Sequence, residues 1–113
     1  MAATNKLFVA PPHPVEKALN ALGTNLRTAR IRRKMTIDEV ATRIGTGPRA
    51  VMDAEKGKPS TGVAVYLALL WAYGLLAPVE DLADPMKDKE GLARGSAAER
   101  VRARKSGALD NDF

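Results

Sequence analysis

The sequence contains no cysteine, so a disulfide framework, a thiolate zinc site and a thiol nucleophile are all excluded. Its one histidine, His13, lies among Pro11, Pro12 and Pro14, a setting that reads as a solvated arm rather than a catalytic centre. There is no internal repeat. The first apolar run, Leu7 to Ala10, is too short for a signal-peptide core, which predicts a cytoplasmic protein. Charge is absent from the whole stretch between Lys58 and Glu80. That stretch is long enough to pass the first test for a membrane span. It is nevertheless broken by Pro59, Gly62, Gly74 and Pro78, and the uninterrupted helix expected at 62–73 is too short to cross a bilayer.

What is present fits one small globular domain with tails: 113 residues, 45% of them apolar and 27% charged. A chain of this length is too short for most stand-alone cofactor enzymes, and no cofactor or metal is expected. The net charge of +5 favours an anionic partner. It is unevenly spread. Residues 15–45 carry seven Lys/Arg against three acids, residues 77–90 carry a net −3, and residues 91–113 carry five Lys/Arg against three acids.

The organisation follows from punctuation and periodicity. Residues 1–14 end in three prolines and read as an N-terminal arm, with Leu7-Phe8-Val9 able to pair as a short strand. From Val15, the residues Ala18, Leu19, Leu22, Leu26 and Ala29 recur on one helical face. Gly23 weakens that helix by about 1 kcal/mol relative to alanine. Thr36 with Glu39 forms a capping box for a second helix bearing Ile37, Val40, Ala41 and Ile44, and Gly45 stops it. After the Thr46-Gly47 turn, Pro48 suits the first position of a third helix, with Val51 and Ala54 inward and Gly57 at its end. Ser60 or Thr61 is expected to cap a fourth helix holding Val65, Tyr66, Leu69, Leu70 and Tyr73, and a short fifth is expected over Val79 to Ala83. The domain is thus placed at 15–85. Residues 86–113 hold too few apolar side chains for a core and read as a disordered charged tail, with a transient helix over 96–105 capped by Ser96.

Two short helices joined by a tight glycine-containing turn are the signature of a helix-turn-helix. Leu26 to Leu82 resembles the XRE, or phage-repressor, family of DNA-binding domains. The likeness rests on Leu26-Arg27-x-Ala29-Arg30, Thr36-x-x-Glu39-Val40-Ala41-x-x-Ile44-Gly45, Val51-x-x-Ala54-Glu55-Lys56-Gly57-Lys58-Pro59-Ser60 and Ala72-Tyr73-Gly74-Leu75. It implies an all-α, five-helix fold of the lambda-repressor kind. More narrowly, the segment from Gly62 to Asp84-Pro85 and the basic 94–105 stretch are similar to HipB-like antitoxins. That likeness implies repression of the protein's own operon and a HipA-type Ser/Thr kinase toxin as partner.

The same resemblance places Pro48, Arg49, Met52 and Asp53 toward the bases, with Gly47 where the family usually has a capping Ser or Thr. Ile37 stands where many members have a phosphate-binding Gln. Arg49 is the best direct reader, since arginine takes guanine O6 and N7 bidentately, set against a plain exposed helix arginine. Arg43, Lys56 and Lys58 are candidate phosphate contacts, set against an ordinary charged surface. Asp53 on this face repels phosphate and pairs only with cytosine or adenine amino groups. Arg30 and Glu55 match a buried ion pair that ties the first helix to the third in this family, set against Arg30 on DNA and Glu55 on a partner.

The uncharged fourth helix is apolar all round, which calls for burial on more than one side. Tyr66, Trp71 and Leu75 are therefore candidates for a second burial surface, most simply a homodimer interface. Enzyme readings fare poorly. Gly57-Lys58-Pro59-Ser60 lacks the upstream glycine of a phosphate loop, and Pro59 removes an N–H that the cradle needs. Asp81, Asp84 and the Asp88-to-Glu90 run are an acidic surface, at most a weak cation site. The expectation is a dimeric repressor on a palindromic operator, acting as antitoxin of a kinase toxin. Two alternatives stand beside it: a toxin-sequestering interaction protein with little DNA binding, and a plain phage-type repressor.

Overall fold

The proline-flanked N-terminal segment forms one helical turn, α1 (Lys6–Val9), in the computed structural model, where an extended arm or strand was expected. The Asn5 side chain accepts from the Leu7 N–H at 2.9 Å and closes that turn. The structure describes residues 5–109, with the backbone alone for 105–109. The first four residues of the expected arm and the last four of the expected tail lie outside the described residues.

Helix α2 (His13–Arg32) starts ahead of the expected Val15. Pro12 is its N-cap and Pro14 sits in its first turn, where a missing N–H leaves no hydrogen bond unmade. It buries Gly23, Leu26 and Ala29, while Ala18 remains exposed. Helix α3 (Ile37–Ile44) carries a complete capping box. The Glu39 N–H donates to Thr36 Oγ1 at 3.0 Å, and the Thr36 N–H donates to Glu39 Oε1 at 2.8 Å. The backbone hydrogen bond from Thr36, with its side-chain bond second, holds the Glu39 carboxyl below its ordinary value. Helix α4 (Pro48–Glu55) opens on Gly47 with no side-chain cap. Helix α5 (Val63–Ala72) opens on Gly62, so neither Ser60 nor Thr61 caps it as expected.

Helices α2 to α5 all end in the same way. In each, an N–H just past the helix returns to a carbonyl five residues back, and its predecessor's N–H returns three residues back. The longer bonds are Met35 to Arg30, Thr46 to Ala41, Lys58 to Asp53 and Leu75 to Leu70, at 2.8–3.2 Å. This closure puts one residue in the left-handed region each time: Lys34, Gly45, Gly57 and Gly74. Three of the four are glycine, which adopts that conformation without a Cβ penalty.

The core is Leu26, Ala29, Val40, Ala41, Val51, Ala54, Tyr66, Leu69 and Tyr73. Tyr66, expected on the second burial surface, belongs to this core instead. It is 4% exposed, and its hydroxyl donates to the Lys58 carbonyl at 3.0 Å. Burial pushes the phenols of Tyr66 and Tyr73 up. Arg33 pins two helix ends at once, donating to the carbonyls of Ala29 at 2.9 Å and Tyr73 at 2.8 Å. Its guanidinium also lies 5.5 Å from the centre of the Tyr73 ring.

Gly23 is required by this packing. A Cβ there would meet the carbonyl oxygens of Ala54 and Glu55 and the nitrogen of Gly57, each at 2.7 Å. A Cβ on Gly57 would lie 2.5 Å from the Leu19 carbonyl oxygen. Helix α2 and the end of α4 are therefore in backbone contact.

The chain divides into two compact units, Met1–Ala77 and Pro78–Phe113. The short fifth helix, expected over Val79 to Ala83, is a 3-10 helix two residues earlier, at Ala77–Asp81. In the second unit, α6 (Lys89–Leu109) is longer than the transient helix expected over 96–105. Asp88 explains the earlier start, because its Oδ1 accepts from the Gly91 N–H at 2.9 Å and caps the helix. None of its described side chains is buried. Among the described residues there is no strand, no helix long and apolar enough to cross a membrane, and no group of three acidic or histidine side chains placed to hold a metal ion.

Candidate nucleic-acid interface

Helices α3 and α4 and the turn between them form a helix-turn-helix. Val40 and Ala41 of α3 and Val51 and Ala54 of α4 face the core, which leaves the opposite side of α4 to solvent. Along that side Gly47, Pro48, Arg49, Met52 and Lys56 are all exposed. The Arg49 side chain is 79% exposed. These residues project without taking part in core packing.

Two ion pairs shape this face. Arg30 and Glu55 form the inner one: Arg30 Nε lies 2.6 Å from Glu55 Oε2, and Nη2 lies 3.1 Å from Oε1. The remaining Nη1 donates to the Met35 carbonyl at 2.9 Å. The two side chains are only 11% and 6% exposed. The hydrogen bond to Glu55 raises the Arg30 pKa, against the opposing effect of burial. This pair fastens α2 to α4 and keeps the Arg30 charge off the outer face.

The outer pair centres on Asp53, whose side chain is 20% exposed. Its Oδ1 lies 3.5 Å from Arg49 Nε and 3.8 Å from Lys58 Nζ. The carboxylate expected on the groove face as a group that repels phosphate is thus paired on two sides by cations of its own chain.

Arg43 stands apart from this group. Its guanidinium lies 5.9 Å from the centre of the Trp71 ring, a cation–π geometry that engages it with α5. Trp71 of α5 is 56% exposed, and Leu75, just past the end of that helix, is 44% exposed.

Arg27 was not singled out from sequence. It lines a shallow cavity of about 240 Å³ with Arg30, Ile37, Met52, Glu55 and Lys56, beside the outer face of α4. The available signal was its spacing three residues before Arg30 on α2, which puts both on neighbouring positions of one helical face.

A family model described as a helix-turn-helix domain matches residues 21–83, more than half of the chain. No curated protein and no solved structure matches the chain. The matched span holds α3, α4 and the exposed face of α4, and on it the chain belongs to the XRE-like helix-turn-helix family of DNA-binding domains.

Proposed function

We propose that this protein is a dimeric transcriptional repressor that reads a palindromic duplex through α4 and serves as the antitoxin of a HipA-like Ser/Thr kinase. The observation that carries the DNA reading is the outer face of α4, where Arg49, Met52 and Lys56 project clear of the core. Two such helices enter successive major grooves, with half-sites about one helical turn apart. Arg49 reads a base edge, and Lys56 and Lys58 contact phosphates.

The dimer rests on α5. Trp71 on its uncharged surface and Leu75 just past its end stay half-exposed after the domain has folded, and a second copy covers them. Trp71→Glu yields a monomer that stays helical; light scattering that finds the dimer unchanged refutes this interface. The kinase partner rests on the sequence likeness over 62–85 and 94–105.

The test is a titration of the full chain against its own upstream DNA and a scrambled duplex at two salt concentrations, with calorimetry against the neighbouring kinase. Lys56→Ala weakens both duplexes about equally and reduces the log–log salt slope by about 0.9. Binding to neither duplex at low salt refutes the repressor reading. It would favour a toxin-sequestering protein, a reading supported by the uncapped Gly47 and by the engagement of Arg43 with Trp71. DNA binding without any kinase binding would favour a plain repressor.

A further inference from the structure

Asp53 is the one acid on the outer face of α4, and its surroundings give it a use. Its Oδ1 faces Arg49 Nε at 3.5 Å from one side and Lys58 Nζ at 3.8 Å from the other. The backbone reinforces the second contact, because the Lys58 N–H donates to the Asp53 carbonyl at 3.1 Å in the closure of α4. Lys58 is therefore held at Asp53 by main chain as well as by charge.

The geometry at Arg49 matters more. The nearest approach of the carboxylate is to Nε, the inner nitrogen of the guanidinium, which leaves the Nη end pointing away from the closest contact. Bidentate recognition of guanine O6 and N7 needs two parallel N–H groups, which the Nη end supplies. An arginine 79% exposed at a helix surface otherwise samples many rotamers. Ordering such a side chain on binding costs about 0.5–1.5 kcal/mol.

We propose that Asp53 is a positioning residue for base reading: it holds the Arg49 guanidinium by its Nε edge, so that the Nη end is presented to the groove already oriented, and it tethers Lys58 beside it. This inference rests on α4 entering the major groove. It differs from a base contact by Asp53 itself, because the carboxylate is mostly covered and both its cationic neighbours face the same oxygen. It also differs from simple repulsion, because Arg49, Asp53 and Lys58 together carry one net positive charge.

The test uses the full chain and a duplex that the wild type enriches from a randomised pool. Affinities are measured at one fixed salt concentration for that duplex and for a scrambled one. The expected result for Asp53→Asn is a fall of about threefold to tenfold in the ratio of specific to scrambled affinity. Scrambled binding should be equal or stronger, since one negative charge is gone. In an Arg49→Ala background the Asp53→Asn change should no longer move the ratio. Far-UV circular dichroism confirms that each variant is folded, and the Arg49→Ala pair keeps the test valid if Asp53→Asn alone lowers stability.

A ratio unchanged by Asp53→Asn overturns the proposal, since repulsion alone raises both affinities together. So does a new base preference that persists in the Arg49→Ala background, which would make Asp53 a reader in its own right. If the wild type enriches no motif at all, it is the DNA reading that fails, and this inference falls with it.

Discussion

Replacing Glu55 by Gln is the sharpest test of how α4 is held. The change keeps the shape of the side chain and removes its charge, so Arg30 retains only the Met35 carbonyl as a full partner. Exposed ion pairs are worth about 0–1 kcal/mol. This one is different, because its two side chains are 11% and 6% exposed and meet through two contacts at 2.6 and 3.1 Å. Removing one member of a buried pair typically costs about 3–5 kcal/mol, since the other charge stays uncompensated. A unit ending at Ala77 has a total stability of about 4–12 kcal/mol by ordinary per-residue values. The loss is therefore a large share of the whole. Urea unfolding, followed by circular dichroism and by Trp71 fluorescence, should show a much lower midpoint with an unchanged slope. The double variant Arg30→Met/Glu55→Leu should recover most of the loss, because it removes both charges and fills the space with apolar atoms. A cost below about 1 kcal/mol for Glu55→Gln would show that solvent screens the pair, and the argument from burial would fail.

Three further outcomes are expected. Gly23→Ala should destabilise by about 1–3 kcal/mol despite the better helix propensity of alanine, because the new Cβ meets three backbone atoms at 2.7 Å; an unchanged or raised urea midpoint would refute the backbone contact. Lys34→Gly should stabilise by about 0.5–1 kcal/mol, since Lys34 alone among the four helix closures occupies the left-handed region with a side chain; differential scanning calorimetry showing a lower midpoint would count against this. Glu39 has a folded pKa below its ordinary 4.5, so its contribution is present above that value and is lost as pH falls through the lowered one; Glu39→Gln should flatten the acid side of the stability curve, and parallel curves for wild type and variant would refute it.

Much of the helix-turn-helix was legible because local chemistry and tertiary structure agree there. Thr36 with Glu39, Pro48, and the glycines at 45, 57 and 74 mark starts and stops that depend on backbone geometry alone. Less could be read where the decisive contact is distant. Nothing in the sequence places a left-handed residue at Lys34. Helix α5 has no polar face, so its pattern gave no way to tell that Tyr66 turns inward while Trp71 turns outward. Arg43 reaches Trp71 across 28 positions of chain, a pairing with no local signature. Asp53 was read only against DNA, although Arg49 four residues before it was a legible partner. Lys58 became a partner only through the turn that closes α4. Asp88 was read as part of an acidic surface, and its capping of α6 emerged only once the helix start was located.

The contact between Gly23 and Gly57 bears on how such a protein can acquire new targets. Helix α4 is docked by main-chain atoms at its end and by Val51, Ala54 and Glu55 on its inner side, and none of these is exposed to solvent. Positions 49, 52 and 56 can therefore be exchanged as a set while the angle of the helix stays fixed. The exposed positions of α4 and its cap are thus separate from those that fix the helix in the fold. A library randomised at those three positions should consist largely of folded proteins with altered sequence preference, whereas one that includes Gly23 or Gly57 should consist largely of unfolded ones.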